Sequence, residues 1–244
     1  MKNQPKTVEP ILWYNTKMGN TVGSASTNSC NFFLDEMDFY ILGLWCAEKY
    51  HRTSSVGLSN TEPELLIRFA RFLRKHFPID RLRLRIYYPI EGNYEINKEI
   101  LKYVKRIVKY PLGKARKVNY HLYVNSRPLL RGFITAKNNL KDLKDPKTIW
   151  AYFSGRFDGD GSIDKGLRKD CRIVYGEKIE AKTDQILLRK VGIDKVRIYY
   201  YKNARTFCLY ISRYEVKKFL KNILPYSWKL QELVLAPRRD LVFR

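Results

Sequence analysis

Two carboxylates in this chain keep the same company. Glu48 closes the segment Gly43-Leu44-Trp45-Cys46-Ala47-Glu48, and Asp160 closes Gly155-Arg156-Phe157-Asp158-Gly159-Asp160. Each acid follows its glycine by five positions, and the second segment repeats the first at an offset of 112 residues. A repeat with one acid per copy describes a duplicated unit whose halves can build one centre between them. Paired carboxylates offer hard oxygen ligands to a divalent cation. A cation held there can neutralise a phosphate and lower the pKa of a bound water.

Both acids fall near helix C-termini, where the macrodipole disfavours a carboxylate by about 0.3–1 kcal/mol. A glycine inside a helix costs about 1 kcal/mol relative to alanine, a cost that close helix contact explains. Gly43 and Gly155 are therefore expected at a helix–helix interface. Two like charges would meet beside that interface, and a bound cation compensates them. Taken alone, Asp158-Gly159-Asp160-Gly161 reads as a turn and Glu48 as a surface acid. A calcium loop starting at Asp158 fails, because Ile163 stands where glycine is required and Lys169 where glutamate is. The duplication favours the paired reading.

The flanking pattern supplies the elements. Asp38 is placed to cap a helix over about 38–48, and Asp145-Pro146 opens the matching helix over about 146–158. Each half then runs through an extended stretch (about 50–59; about 163–175) and an amphipathic helix. The first, over 62–76, sets Leu65, Leu66, Phe69, Phe72 and Leu73 inward. The second, over 178–191, does so with Ile179, Ile186, Leu187 and Leu188. Two strands follow in each half (81–88 and 117–125; 195–202 and 205–212), then a closing helix (128–140; 213–223). The class is α+β, with the order α-β-β-α-β-β-α occurring twice. The divisions are an N-terminal arm over 1–35, a first repeat over 36–144 and a second over 145–244. An insertion over about 91–116 interrupts the first repeat, where the spacing of Leu101, Val104 and Val108 predicts an extra basic helix.

Charge indicates the partner. The 244 residues hold 47 Lys and Arg against 24 Asp and Glu, a net charge of +23. A polyanion relieves that self-repulsion, and nucleic acid fits better than an acidic membrane surface. No apolar run reaches the roughly 20 residues that span a bilayer, and no signal peptide is evident. The four scattered cysteines point away from zinc and disulfides and toward a reducing compartment, cytoplasmic in a prokaryote or organellar, not secreted.

The strands repeat the basic theme. Arg81, Arg83, Arg85 and Tyr87 alternate with Leu82, Leu84 and Ile86, and Lys195, Arg197, Tyr199 and Tyr201 alternate with Val196 and Ile198. Period-two alternation puts one set on a core face and the other on an open face. A solvated sheet face is the plain alternative. A basic, aromatic face occurring in both halves suits a strand ribbon lying in the major groove, where arginine reads guanine edges. Asn119, His121, Asn125, Arg168, Arg172 and Arg205 would join it.

With those residues in view, the chain resembles the single-chain, two-repeat LAGLIDADG homing endonucleases over about 38–235. Gly43 and Gly155 fall on the motif glycine, and Glu48 and Asp160 on its metal-binding acid. The second motif, continuing as Gly161-Ser162-Ile163, is specific. The first is looser, with Trp45 and Cys46 unusual and Lys49 replacing the final glycine. The resemblance implies a monomeric, pseudo-twofold enzyme in which each half offers a curved antiparallel sheet as a saddle over double-stranded DNA. It implies site-specific, magnesium-dependent hydrolysis of both strands at a long asymmetric site, with manganese or calcium able to replace magnesium for binding. The backbone carbonyls of Ala47 and Gly159 would assist the acids in holding metal. Asn60 and Glu177 align with the polar residues that order the attacking water, and Lys229 with the basic residue that stabilises the phosphate. Lys137 and Lys141 are first-half candidates for that last role. His51 is expected to face DNA or solvent, so no histidine serves as general base. The alternatives are an intron RNA maturase and a non-cleaving DNA-binding protein on the same fold. Retention of both acids favours cleavage.

Overall fold

The computed structural model describes residues 32–33, 35–50, 55–91, 94–113, 116–164 and 170–235. Most of the expected N-terminal arm, His51 and Arg168 lie outside them. Among the described residues no helix is long and apolar enough to cross a membrane.

Helix α1 (Glu36–Glu48) leads directly into β1 (Lys49–Tyr50), then β2 (Ser55–Asn60) and α2 (Pro63–His76). The second half repeats this as α5 (Pro146–Asp160), β6 (Gly161–Ile163), β7 (Cys171–Tyr175) and α6 (Lys178–Lys190). Between them the first half holds β3 (Arg83–Pro89), a short α3 (Lys98–Leu101), β4 (Arg106–Leu112), β5 (Asn119–Asn125) and α4 (Arg127–Asn138). The second half ends with β8 (Val196–Tyr201), β9 (Thr206–Ile211), α7 (Arg213–Ile223) and α8 (Trp228–Leu235). This is the α+β, two-repeat architecture. The first sheet runs β1-β2-β5-β3-β4 and the second β6-β7-β9-β8. The first four strands of one thus match the four of the other, and β4 is the addition.

Local chemistry explains the helix starts, with one correction. Asp145 Oδ2 accepts from the Thr148 amide at 2.9 Å and Pro146 takes the first turn of α5, so the expected cap is present. Asp38, in contrast, is not the cap of α1. That residue is Asp35, whose Oδ1 accepts from the Asp38 amide at 2.8 Å, while Asp38 Oδ2 accepts back from the Asp35 amide at 3.3 Å. This is a reciprocal capping box built from two aspartates. Asp38 is buried there and carries Lys75 Nζ at 2.6 Å.

Three further expectations are corrected. No basic helix extends over 98–110: α3 ends at Leu101 and Arg106–Leu112 is a strand, parallel to β3. Ile107, Val108 and Tyr110 favour a pleated surface and Pro111 cannot continue a helix, so the open edge of β3 wins over helical spacing. Arg81 sits in a single 3-10 turn, Ile79–Arg81, ahead of β3. In α6, Ile179 and Ile186 are exposed, while Ala181, Asp184, Leu187 and Leu188 face inward.

The core is continuous. Aromatic rings dominate it, with Phe33, Trp45, Phe69 and Phe72 around Phe133 in one half and Trp150, Phe153 and Phe157 around Phe219 in the other. From Tyr40 to Cys46 every residue of α1 is buried. A helix apolar all round belongs at the centre of a fold, and α1 lies there against α5.

Candidate functional site

The two central helices touch backbone to backbone. A Cβ at Gly43 would lie 1.9 Å from the Tyr152 carbonyl oxygen, and one at Gly155 would lie 1.9 Å from that of Tyr40. No side chain fits at either position. Further along, a Cβ at Gly159 would fall 2.4 Å from Ala47 Cβ and 3.2 Å from Glu48 Cγ. The residues before the two acids therefore meet across the interface, and Glu48 and Asp160 leave it side by side at the two helix C-termini.

Their proximity has an electrostatic consequence. Burial, then the Asp160 charge, push the Glu48 carboxyl up from 4.5 to about 7, against a smaller opposing pull from Lys229. Asn60, the last residue of β2, donates from Nδ2 to Glu48 Oε1 at 3.0 Å, while its own Oδ1 accepts from the Glu62 amide at 2.8 Å. That second bond fixes the amide's orientation toward Glu48. Lys229, in the first turn of α8, donates to the Gly161 carbonyl at 2.9 Å. It thus covers the C-terminal end of α5, where unpaired carbonyls collect negative potential.

The structure brings together Glu48, Asp160, Asn60 and Lys229, with Ala47 and Gly159 beneath them. It does not bring in Glu177, which is exposed just ahead of α6. Ladder register gives the reason. Lys49 pairs with Leu58 and Gly161 with Ile173, so the counterpart of Asn60 is Tyr175. Tyr175 is buried and donates to Asp184 at 2.7 Å. Lys137 is paired with Glu180 on α6 rather than with the end of α1.

One acid of the second motif has a different task. Asp158 is buried; its Oδ2 accepts from the Tyr40 hydroxyl at 2.7 Å and the Trp228 amide at 2.8 Å, and its Oδ1 from the Ser227 hydroxyl. Ser227 in turn accepts from the Leu230 amide at 3.2 Å. Asp158 therefore seats the N-terminus of α8, and with it Lys229. The motif offers a signal for this: acids two positions apart on a helix point to different sides, and Ser227 is a natural N-cap. At the matching place in the first half stands Cys46, whose thiol burial pushes up to about 12.

A buried ionic group joins α5 to α6. Arg156 Nε lies 3.5 Å from Asp184, its guanidinium stacks 4.3 Å over the Tyr175 ring, and the Tyr152 hydroxyl donates to Asp184 at 3.0 Å. Burial raises the Asp184 carboxyl to about 6 despite these partners. Nothing in the hydropathy pattern announced a buried charge at Arg156.

The open faces carry most of the expected basic and aromatic residues. On the first sheet Arg83, Arg85 and Tyr87 lie in register beside Tyr123, His121 and Asn119, with Asn125 at the end of β5. Arg85 stacks 4.9 Å over Tyr123, which stacks on His121, a residue that is itself buried. On the second sheet Arg172, Arg197 and Tyr210 share one row, with Tyr199 and Tyr201 beyond them. Lys195 stands just outside β8, its amide donating to Glu215, and Arg205 turns the β8–β9 hairpin with a φ of 51°.

The carboxylate pair fits a hard divalent cation. Its donors are all oxygens, burial and the neighbouring Asp160 charge raise Glu48, and magnesium characteristically uses one or two carboxylates plus substrate phosphate. Among the described residues no group of three or more His, Cys, Asp and Glu comes together, and neither histidine nor cysteine joins the pair, which does not suit zinc.

No protein-family model matches the sequence, and no curated protein does. Solved structures do match. The homing endonuclease I-DmoI, in complex with DNA and calcium, is 18% identical with a TM-score of 0.57, over 82% of this chain and 97% of that one. A mesophilic variant of I-DmoI is 20% identical with a TM-score of 0.54, over 78% and 96%. Full-length WhiA from Thermatoga maritima is 13% identical with a TM-score of 0.51, over 88% and 66%. At these identities the likeness is one of fold, and together with the paired glycine–acid helices it identifies this chain as a two-repeat LAGLIDADG fold.

Proposed function

We propose that this chain is a site-specific endonuclease that hydrolyses both strands of double-stranded DNA with a divalent cation. The observation that carries the reading is the juxtaposition of Glu48 and Asp160, at the apposed ends of α1 and α5, with a basic sheet running outward from each. Duplex DNA supplies the polyanion that the net charge calls for, and its phosphates would lie over the acid pair.

Glu48 and Asp160, with the Ala47 and Gly159 carbonyls, would hold the cation, which supplies charge neutralisation at the phosphate and a water of lowered pKa. The protein's own groups do the rest. Asn60 holds the Glu48 carboxylate in one orientation through its 3.0 Å bond. Lys229, anchored at Gly161, places a positive charge beside the same pair and can face the phosphate oxygens. The open faces fix the duplex in register, with arginines for base edges and tyrosines for sugar and base contacts.

The test is incubation of the protein with a randomised duplex library and magnesium, followed by sequencing of cut ends. Defined double-strand ends from the protein, and none from Glu48→Gln or Asp160→Asn with binding retained, are expected. Binding without any cutting in magnesium or manganese would reduce the reading to a DNA-binding protein. Preference for a structured RNA over every duplex would replace it with an RNA-binding one.

A further inference from the structure

The first sheet carries one strand more than the second, and that strand is unusual. Every residue of β4 is exposed, including Ile107, Val108, Tyr110 and Leu112. Exposed apolar residues in a cluster generally mark a surface meant for contact. Yet β4 is firmly placed. It pairs with β3 along its whole length, from Arg83 with Arg106 to Pro89 with Leu112. Tyr110 stacks on Tyr87 at 5.4 Å and 20°. The crossover that delivers it is pinned as well. Asn97 caps α3, accepting from the Glu99 amide at 2.8 Å. The Asn97 amide donates to the Tyr120 hydroxyl at 2.9 Å, and Ile100 and Val104 are buried.

Register decides which side chains face where. Arg106, Val108 and Tyr110 pair with Arg83, Arg85 and Tyr87 and so continue the open face. Ile107 and Lys109 pair with Leu84 and Ile86 and point to the opposite side. We infer that β4 is a lateral extension of the nucleic-acid contact face, taking duplex DNA beyond the reach of the second repeat. Charge complementarity and continuity with the basic row argue for this occupant: Arg106 extends the Arg83–Arg85 pair. The inference rests on the DNA-binding reading of the open faces.

The geometry gives a size. β1 and β6 follow directly on Glu48 and Asp160, so distance from the acids is counted in strands, five on one side and four on the other. Neighbouring strands are about 4.8 Å apart, and base pairs rise about 3.4 Å. One added strand thus reaches one to two base pairs further. Val108 offers an apolar contact for a thymine methyl and Arg106 a fork for guanine.

The experiment is selection of bound duplexes from a randomised pool with the full-length wild-type protein, Arg106→Ala, Lys109→Ala and Arg85→Ala. Arg85→Ala identifies the arm of the site read by the first repeat. The expected wild-type profile extends one or two base pairs further from the centre on that arm than on the other. Arg106→Ala should erase preference at those outermost positions and weaken binding several-fold, leaving inner positions intact. Lys109→Ala, on the opposite side of the same strand, should leave the profile unchanged. Arms of equal length, or equal effects of Arg106→Ala and Lys109→Ala, would overturn the β4 assignment while leaving DNA binding standing. Failure to enrich any duplex would overturn both.

Discussion

The Tyr40 hydroxyl on α1 donates a 2.7 Å hydrogen bond to Asp158 on α5, so one buried carboxylate ties the two repeats together. The same carboxylate seats α8 through Ser227 and the Trp228 amide. Asp158 and Asp160 are therefore two acids, two positions apart, with opposite tasks. Asp158→Ala leaves the buried Tyr40 and Ser227 hydroxyls and the half-buried Trp228 amide without their acceptor, and each buried donor left unpaired costs about 1–3 kcal/mol. The expected result is a loss of several kcal/mol in denaturant unfolding, with cutting lost alongside folding. Asp160→Asn should unfold like the wild type and lose cutting only. Equal stability of the two variants would show that Asp158 anchors nothing.

Gly155 should be far less tolerant of substitution than an open glycine such as Gly176. An alanine there drives its Cβ to 1.9 Å from a backbone carbonyl, which cannot rotate away as a side chain could. Overpacking of this kind costs about 1–3 kcal/mol, and more where backbone must move. Gly155→Ala is expected to lower the melting temperature well beyond Gly176→Ala, whose added Cβ would meet nothing within 4 Å. Matching melting temperatures would mean the helices separate without penalty.

Legibility in the sequence followed the range of the interactions. The glycine–acid spacing and the Asp145-Pro146 start are local, and both were readable. The element order followed from periodicity. What escaped depended on partners distant in sequence. Leu101, Val104 and Val108 have helical spacing, but the unpaired edge of β3 made 106–112 a strand. Glu177 looked like the partner of Asn60 until ladder register put Tyr175 there. Asp184 and Arg156 carried no sequence signal for burial, yet they form an ion pair inside, with the Tyr152 and Tyr175 hydroxyls donating to Asp184. The first-motif acid could be read only through its partner 112 residues on, and the same is true of the contact that unites them.

The raised Glu48 carboxyl predicts an inverted pH dependence for the metal-free protein. Its proton is held more tightly in the folded state, at about 7, than at its ordinary 4.5. Glu48 therefore favours the fold fully below pH 4.5, and that contribution declines as pH rises through 7. Melting temperatures taken in chelator should fall across pH 5–7.5 in wild type and fall less in Glu48→Gln. Magnesium should restore the loss at pH 8, because a ligand bound only by the folded state adds stability by mass action. Identical slopes in wild type and Glu48→Gln would assign the pH dependence elsewhere, with Asp184 the next group to examine.

Lys229 is placed to separate structure from chemistry. Its ammonium covers the Gly161 carbonyl at 2.9 Å and draws the Glu48 carboxyl downward, against burial and Asp160. Lys229→Met keeps an unbranched stem and removes the ammonium, with its contacts to the Gly161 carbonyl and the Phe157 ring. Loss of one helix-terminal cation costs about 0.3–1 kcal/mol, so folding should be nearly untouched. Glu48 should then ionise at a higher pH, and the rising limb of the cleavage rate against pH should move alkaline in the variant. Arginine at the same position should move it back. A profile that drops in height without shifting would mean that Lys229 acts on the phosphate alone, and that its charge does not reach Glu48 once substrate is bound.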